Sequence, residues 1–132
     1  LALPGRVPDD ELVALYRRAW VLASASAREG WGMTVTEAAA CGTPAVVTRI
    51  AGHADAVVDG VTGLLADDPA ELVPLLDKVL GDVALRERLG AAARERAAAF
   101  TWDATAAGTL QVLAAEVRAW RARRGRAGPA GG

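Results

Sequence analysis

A chain of 132 residues, 52% hydrophobic and 23% charged, has the composition to bury the core of one domain and not that of a disordered or fibrous protein. Fifteen basic side chains against sixteen acidic ones leave a net charge of -1, which excludes an overall electrostatic footprint for nucleic acid or an anionic membrane. The single cysteine, Cys41, excludes an internal disulfide framework and a multi-cysteine zinc site, and it points to a reducing, cytoplasmic setting. No apolar run approaches the roughly 20 residues that span a bilayer, and there is no signal peptide. A chain that begins at Leu1 rather than at methionine is expected to be a piece of a longer protein.

The opening LALPGRV is read as one short strand. Pro8, Asp9 and Asp10 then signal a helix start, and Leu12, Leu15, Tyr16, Ala19 and Trp20 form one apolar stripe at helical spacing. VLASAS is a strand running into the loop EGWG. The segment MTVTEAAAC has helix length, with Gly42 placed for a left-handed C-terminal cap and Pro44 preventing continuation. AVVTRI reads as a strand buried on both faces of a parallel sheet, and TGLLA as a further strand after the turn at Asp59 and Gly60. Asp68 and Pro69 start a helix carrying Leu72, Leu75, Leu76, Val79 and Leu80, with a kink expected at Pro74. A second helix over about 83–99 has Asp82 at its cap and Leu85 and Leu89 inside. Thr101 caps a last helix whose stripe is Trp102, Ala106, Leu110, Leu113, Val117 and Trp120. Residues 122–132 are expected to be a disordered Arg/Gly/Ala tail, the five arginines from Arg118 to Arg126 complementing a helix dipole rather than marking a polyanion site.

Strands alternating with helices predict an α/β protein with a partial Rossmann-like parallel sheet flanked by helices, in which ligands bind outside the carboxyl ends of the strands. EGWG lies at such an end. Unpaired amides at the following helix start favour phosphate or a leaving group acquiring negative charge, and Gly30 and Gly32 let backbone approach it. The loop lacks the lysine and hydroxyl residue of triphosphate-hydrolysing loops, so triphosphate hydrolysis has no support. Two carboxylates, Glu29 and Glu37, flank the anion site. Carboxylates repel phosphate, and their natural partners there are the hydroxyls of ribose and hexose.

The stretch SAREGWGMTVTEAAACGTPAVVTRIAGHADAVVDGVTGLLAD resembles the donor-site signature of retaining glycosyltransferases of family 4, which have the GT-B fold: a Glu, seven residues, Glu motif, an alanine-rich helix, a Cys-Gly-x-Pro turn and a Gly-Leu-Leu strand. The similarity extends upstream through LPGRVPDDELVALYRRAWVLASAS and downstream into FTWDATA. Trp31 stands where members usually carry phenylalanine or tyrosine, and Ala51, Gly52 and Asp55 where they carry a Gly-Gly pair and a glutamate. The resemblance implies that the chain is the C-terminal portion of a donor-binding domain, over residues 1–121. It implies that Glu29 is catalytic and contacts hydroxyls of the transferred sugar, that backbone around Gly30, Trp31, Gly32, Met33 and Thr34 approaches the sugar and the diphosphate, and that Glu37 grips the ribose.

The implied partners are a nucleoside-diphosphate sugar donor, an unidentified acceptor and an N-terminal domain of the same protein. No cofactor is expected, and no metal, because no aspartate pair lies in a ligand pattern near the site. The implied location is cytoplasmic, peripheral at the inner membrane if the acceptor is a lipid. If LALPGRV is strand three and VLASAS strand four of a 3-2-1-4-5-6 sheet, two central strands are absent between them, and the long apolar edge left open predicts self-association and no turnover by these residues alone. His53 is expected in a loop or at the surface, Cys41 as a small buried apolar residue, and Ser24 and Ser26 as capping or turn residues. A nucleotide-sugar epimerase and a non-catalytic interaction module remain open alternatives.

Overall fold

In the computed structural model, which describes residues 2–126, a three-stranded parallel sheet is built from β1 (Leu22–Ser24), β2 (Ala45–Thr48) and β3 (Gly63–Ala66) in that spatial order. Every residue of β2 and β3 is buried, as continuous apolar runs in a doubly covered parallel sheet must be. Leu22, Ala23 and Ser24 of β1 pair with Ala45, Val46 and Val47, and Ala45 to Thr48 pair in turn with Gly63 to Ala66. All three strands therefore end on the same side of the sheet.

The helices are α1 (Asp9–Arg18), α2 (Met33–Ala40), α3 (Ala51–Ala56), α4 (Leu72–Gly81), α5 (Val83–Ala97) and α6 (Trp102–Arg126). Alternation along the strands sorts the core into two clusters. Ala45, Val47 and Leu65 pack with Val35 of α2, Ala56 of α3 and Val57 just after it, while Val46 and Leu64 pack with Val79 of α4 and Leu89 of α5. A fully buried aliphatic side chain contributes about 1.5–3 kcal/mol, so the two clusters fix the helices to their faces. The described residues divide into two units between Ala98 and Ala99, and α6 belongs to the second. No helix among the described residues is long and apolar enough to cross a membrane.

Several predicted boundaries hold because their cause is local. Gly42 has φ +83°, and the Gly42 and Thr43 amides donate to the Ala39 and Ala38 carbonyls at 2.9 Å each, a Schellman cap closing α2. Asp82 accepts from the Leu85 amide at 2.9 Å to start α5, and Thr101 Oγ1 accepts from the Ala104 amide at 3.1 Å to start α6.

Other expectations are corrected. LALPGRV is not a strand: Pro4 and Pro8 lack an amide donor, Gly5 takes φ +71°, and residues 2–8 carry no regular structure. The described sheet accordingly has no gap; β1 and β3 are its edges, and β1, the edge expected to be long, has only three residues. α1 ends at Arg18, since Ala19 is extended, and Trp20 is 62% exposed with the Arg86 guanidinium 4.5 Å from its ring centroid. A 3-10 turn (Pro69–Glu71), closed by a capping box between Asp68 and Glu71, precedes α4. Pro74 thus falls in the first turn of α4, where its missing amide has no intrahelical partner to lose. Cys41 is half-buried at the end of α2 rather than enclosed. The last helix continues to Arg126, through residues expected to be disordered, and the rest of that expected tail lies outside the described residues.

α5 crosses α2 at a glycine. A Cβ added to Gly90 would lie well inside van der Waals contact with the Gly42 carbonyl oxygen and 3.4 Å from Pro44 Cδ, and backbone cannot be relieved by a rotamer change. Gly90→Ala should push α5 off the α2 cap and cost about 1–3 kcal/mol, the usual range for overpacking. The check is a thermal melt, in which an unchanged midpoint would contradict the close approach.

Candidate donor site at the carboxyl ends of the strands

Ser24 and Val47 are register partners near the ends of β1 and β2, so the loop leaving β1 and the segment leaving β2 emerge side by side. The first is residues 25–32. Thr48 Oγ1 donates to the Ser26 carbonyl at 2.6 Å, anchoring that loop to the end of β2. Ser24 Oγ donates to Ser26 Oγ at 3.2 Å, and Ser26 Oγ donates to Glu29 Oε1 at 2.8 Å. The two serines act as turn residues, and their relay fixes the Glu29 carboxylate. Glu29 and Gly30 line an open cleft with Ala27, Arg28, Ile50 and Ala51, between the two segments.

The floor of the loop is α3, an element that sequence periodicity did not reveal because six residues are fewer than two helical turns. A Cβ on Gly52 would lie 2.7 Å from the Glu29 carbonyl oxygen and 2.9 Å from the Trp31 amide nitrogen, so α3 approaches the loop backbone as only glycine permits. His53 is 1% exposed and its Nδ1 donates to the Thr48 carbonyl at 2.8 Å. The expectation of a loop or surface histidine fails here, because the ring fills the space under the glycine loop. Gly32, with φ +79°, meets that ring: a Cβ there would stand 3.2 Å from His53 Cδ2.

Gly32 is also the N-cap of α2 and contributes no side chain to cap it. The Val35 and Thr36 amides turn back to the Gly32 carbonyl at 3.0 and 3.3 Å, leaving Met33 and Thr34, both exposed, at the helix start. Trp31 is 37% exposed beside them. The sequence-predicted residues Glu29, Gly30, Trp31, Gly32, Met33 and Thr34 are therefore one continuous rim. Glu37 lies one turn into α2, half-buried, with its own partner: Tyr16 Oη, from α1, donates to Glu37 Oε2 at 3.0 Å. Burial first, and then the hydrogen bond and charge of Glu37, push the Tyr16 pKa up to about 12. Tyr16 figured in the sequence as part of an apolar stripe. Nothing local distinguishes a stripe tyrosine whose hydroxyl reaches a carboxylate 21 positions away. Among the described residues no group of three or more His, Cys, Asp or Glu side chains could hold a metal ion.

The arrangement offers carboxylate acceptors on both sides of a helix start with free donor capacity. Comparison with known proteins shows the family of the chain. Residues 1–96 match the family model described as Glycosyl transferases group 1. The chain belongs to this glycosyltransferase family. It is 42% identical over 120 residues to a D-inositol 3-phosphate glycosyltransferase of Salinispora arenicola, an alignment covering 89% of this chain and 27% of that protein. Sucrose-phosphate synthase from Thermosynechococcus elongatus superposes with a TM-score of 0.73 at 32% identity, over 87% of this chain and 30% of the synthase. Anabaena HepE, solved in complex with UDP-glucose, superposes with a TM-score of 0.59 at 27% identity, over 63% of this chain and 24% of that one. The chain thus spans about a quarter of the length of the curated relatives it matches. Its α/β architecture is the part of the GT-B fold that these enzymes share.

Gly52→Ala tests whether α3 sets the loop. The added methyl must displace the backbone at Glu29 and Trp31, and we expect faster hydrogen exchange at the amides of residues 29–32 with β2 and β3 unaffected. Unaltered exchange in the loop would mean that it is held from elsewhere.

Proposed function

We propose that this chain is the donor-binding portion of a retaining glycosyltransferase, which moves a sugar from a nucleoside diphosphate to an acceptor hydroxyl. The observation that carries the reading is the uncapped start of α2 between two carboxylates at the carboxyl ends of parallel strands. Amides at Met33 and Thr34 suit the diphosphate, since helix-start donors and the helix dipole favour negative charge. Glu37 suits the ribose hydroxyls, and Glu29 hydroxyls of the transferred sugar, because an ionised carboxylate accepts hydrogen bonds of more than neutral strength. As the bond to the sugar breaks, charge accumulates on the leaving diphosphate. Donors already aimed at that position stabilise it without reorganisation.

Support for a uridine nucleotide comes from HepE, solved with UDP-glucose, and support for transfer to a hydroxyl of a phosphorylated polyol from the names of the curated relatives. The retaining outcome rests on the family resemblance of the Glu29 to Glu37 motif. The acceptor side belongs to the remainder of the intact protein, since relatives are about four times as long as the matched region.

In the intact protein, Glu37→Ala should weaken binding of the nucleoside diphosphate by about 1.5–3 kcal/mol, the range for a hydrogen bond to a charged group. Calorimetry reads this directly, and an unchanged affinity would remove Glu37 from the site. We also propose that transfer needs no divalent metal, because α2 takes the role of charge stabiliser. Turnover is expected to survive chelation. Loss of activity in chelator, with rescue by magnesium or manganese, would overturn that proposal.

A further inference from the structure

We propose that Tyr16 is a positioning residue for ribose recognition: by donating to Glu37 Oε2 it holds that carboxylate so that Oε1 is aimed at a ribose hydroxyl. The inference rests on the reading of Glu37 as the ribose ligand and adds a residue from α1 to the donor site. Glutamate has three side-chain torsions, and an unrestrained carboxylate on a helix surface samples many rotamers. Ordering it upon binding a ligand would cost about 0.5–1.5 kcal/mol. The contact from Tyr16 at 3.0 Å removes that freedom beforehand.

Tyr16 is itself held at both ends. Its carbonyl accepts from Thr43 Oγ1 at 2.6 Å, and Thr43 is a buried residue of the cap that closes α2. The backbone of Tyr16 is therefore anchored to the end of α2 while its hydroxyl reaches the middle of the same helix. The hydroxyl is also fixed in its chemical role. With its pKa pushed up to about 12, chiefly by burial and then by Glu37, Tyr16 keeps its proton throughout the neutral range and remains a donor to the carboxylate. Glu37, for its part, has no basic partner among the described residues, so its free oxygen is not claimed by a competing cation.

A helix clamp with no part in recognition would use the same hydrogen bond, and the two roles differ in what they do to ligand discrimination. The test is Tyr16→Phe in the intact protein, which deletes one oxygen and leaves the ring. Calorimetry is run with the tightest-binding of uridine, guanosine and adenosine 5′-diphosphate, and with its 2′-deoxy and 3′-deoxy analogues. In the unsubstituted protein at least one deoxy analogue should bind more weakly than the ribonucleotide. In Tyr16→Phe the ribonucleotide should weaken about three- to tenfold, with the deoxy analogue much less affected, so that the ratio between them shrinks. An unchanged ratio, with or without a lower melting temperature, would make Tyr16 a structural clamp and overturn the inference. Glu37→Ala separates the two readings. If Glu37→Ala also leaves the ratio unchanged, or if no diphosphate binds the unsubstituted protein, the ribose assignment of Glu37 fails and the role of Tyr16 falls with it.

Discussion

Thr48 ties the site together. It is the last residue of β2, and its hydroxyl donates to the Ser26 carbonyl while its own carbonyl accepts from His53 Nδ1, at 2.6 and 2.8 Å. One buried residue thereby joins the loop after β1 to the helix after β2, two segments that share no sequence neighbourhood. The junction works with the packing of Ala56 and Val57 to hold the Gly52 approach, where backbone lies against backbone and no flexible side chain can absorb a shift. The junction is internally satisfied. The hydroxyl donor and the carbonyl acceptor of Thr48 both have partners, as buried polar groups must if they are not to cost about 1–3 kcal/mol each.

What the sequence revealed follows the range of each cause. The Schellman cap at Gly42, the N-caps at Asp82 and Thr101 and the buried run of β2 were legible because each is set by residues within a few positions of itself. The rim from Glu29 to Thr34 was legible for the same reason, as a glycine-flanked loop entering a helix. α3, the burial of His53 and the hydroxyl of Tyr16 on Glu37 were not, because each depends on a partner from another element. LALPGRV failed in the opposite sense: its apolar residues suggested a strand, yet a strand exists only against a neighbour, and among the described residues none pairs with it.

The two glutamates are held by neutral donors, Ser26 on Glu29 and Tyr16 on Glu37, whereas Asp59 and Asp67 are paired with a cation: Arg49 bonds Asp59 at 2.6 Å and also bonds Asp67. Burial works against ionisation of Asp59, but the Leu65 amide and Arg49 outweigh it and hold the carboxyl below its usual range. The contrast has a chemical consequence. A neutral donor orients a carboxylate and leaves its charge intact, while an arginine would neutralise it and occupy both oxygens.

A carboxylate at Glu37 beside a helix start proposed to hold a diphosphate looks unfavourable until magnitudes are compared. One helical turn plus the side-chain offset separates the two by roughly 8 Å, and at an effective dielectric of about 40 the repulsion of two unit charges there is about 1 kcal/mol. A hydrogen bond from a hydroxyl to a charged acceptor returns about 1.5–3 kcal/mol. The balance favours a ligand that presents both groups, phosphate at Met33 and Thr34 and hydroxyl at Glu37. A free phosphate meets the same helix-start donors and the same repulsion, without the return from a hydroxyl on Glu37. Placed one turn apart, the helix start and the glutamate would therefore select a nucleotide over inorganic phosphate through geometry, and the proposed tether from Tyr16, being neutral, would orient the carboxylate for that selection without cancelling its charge.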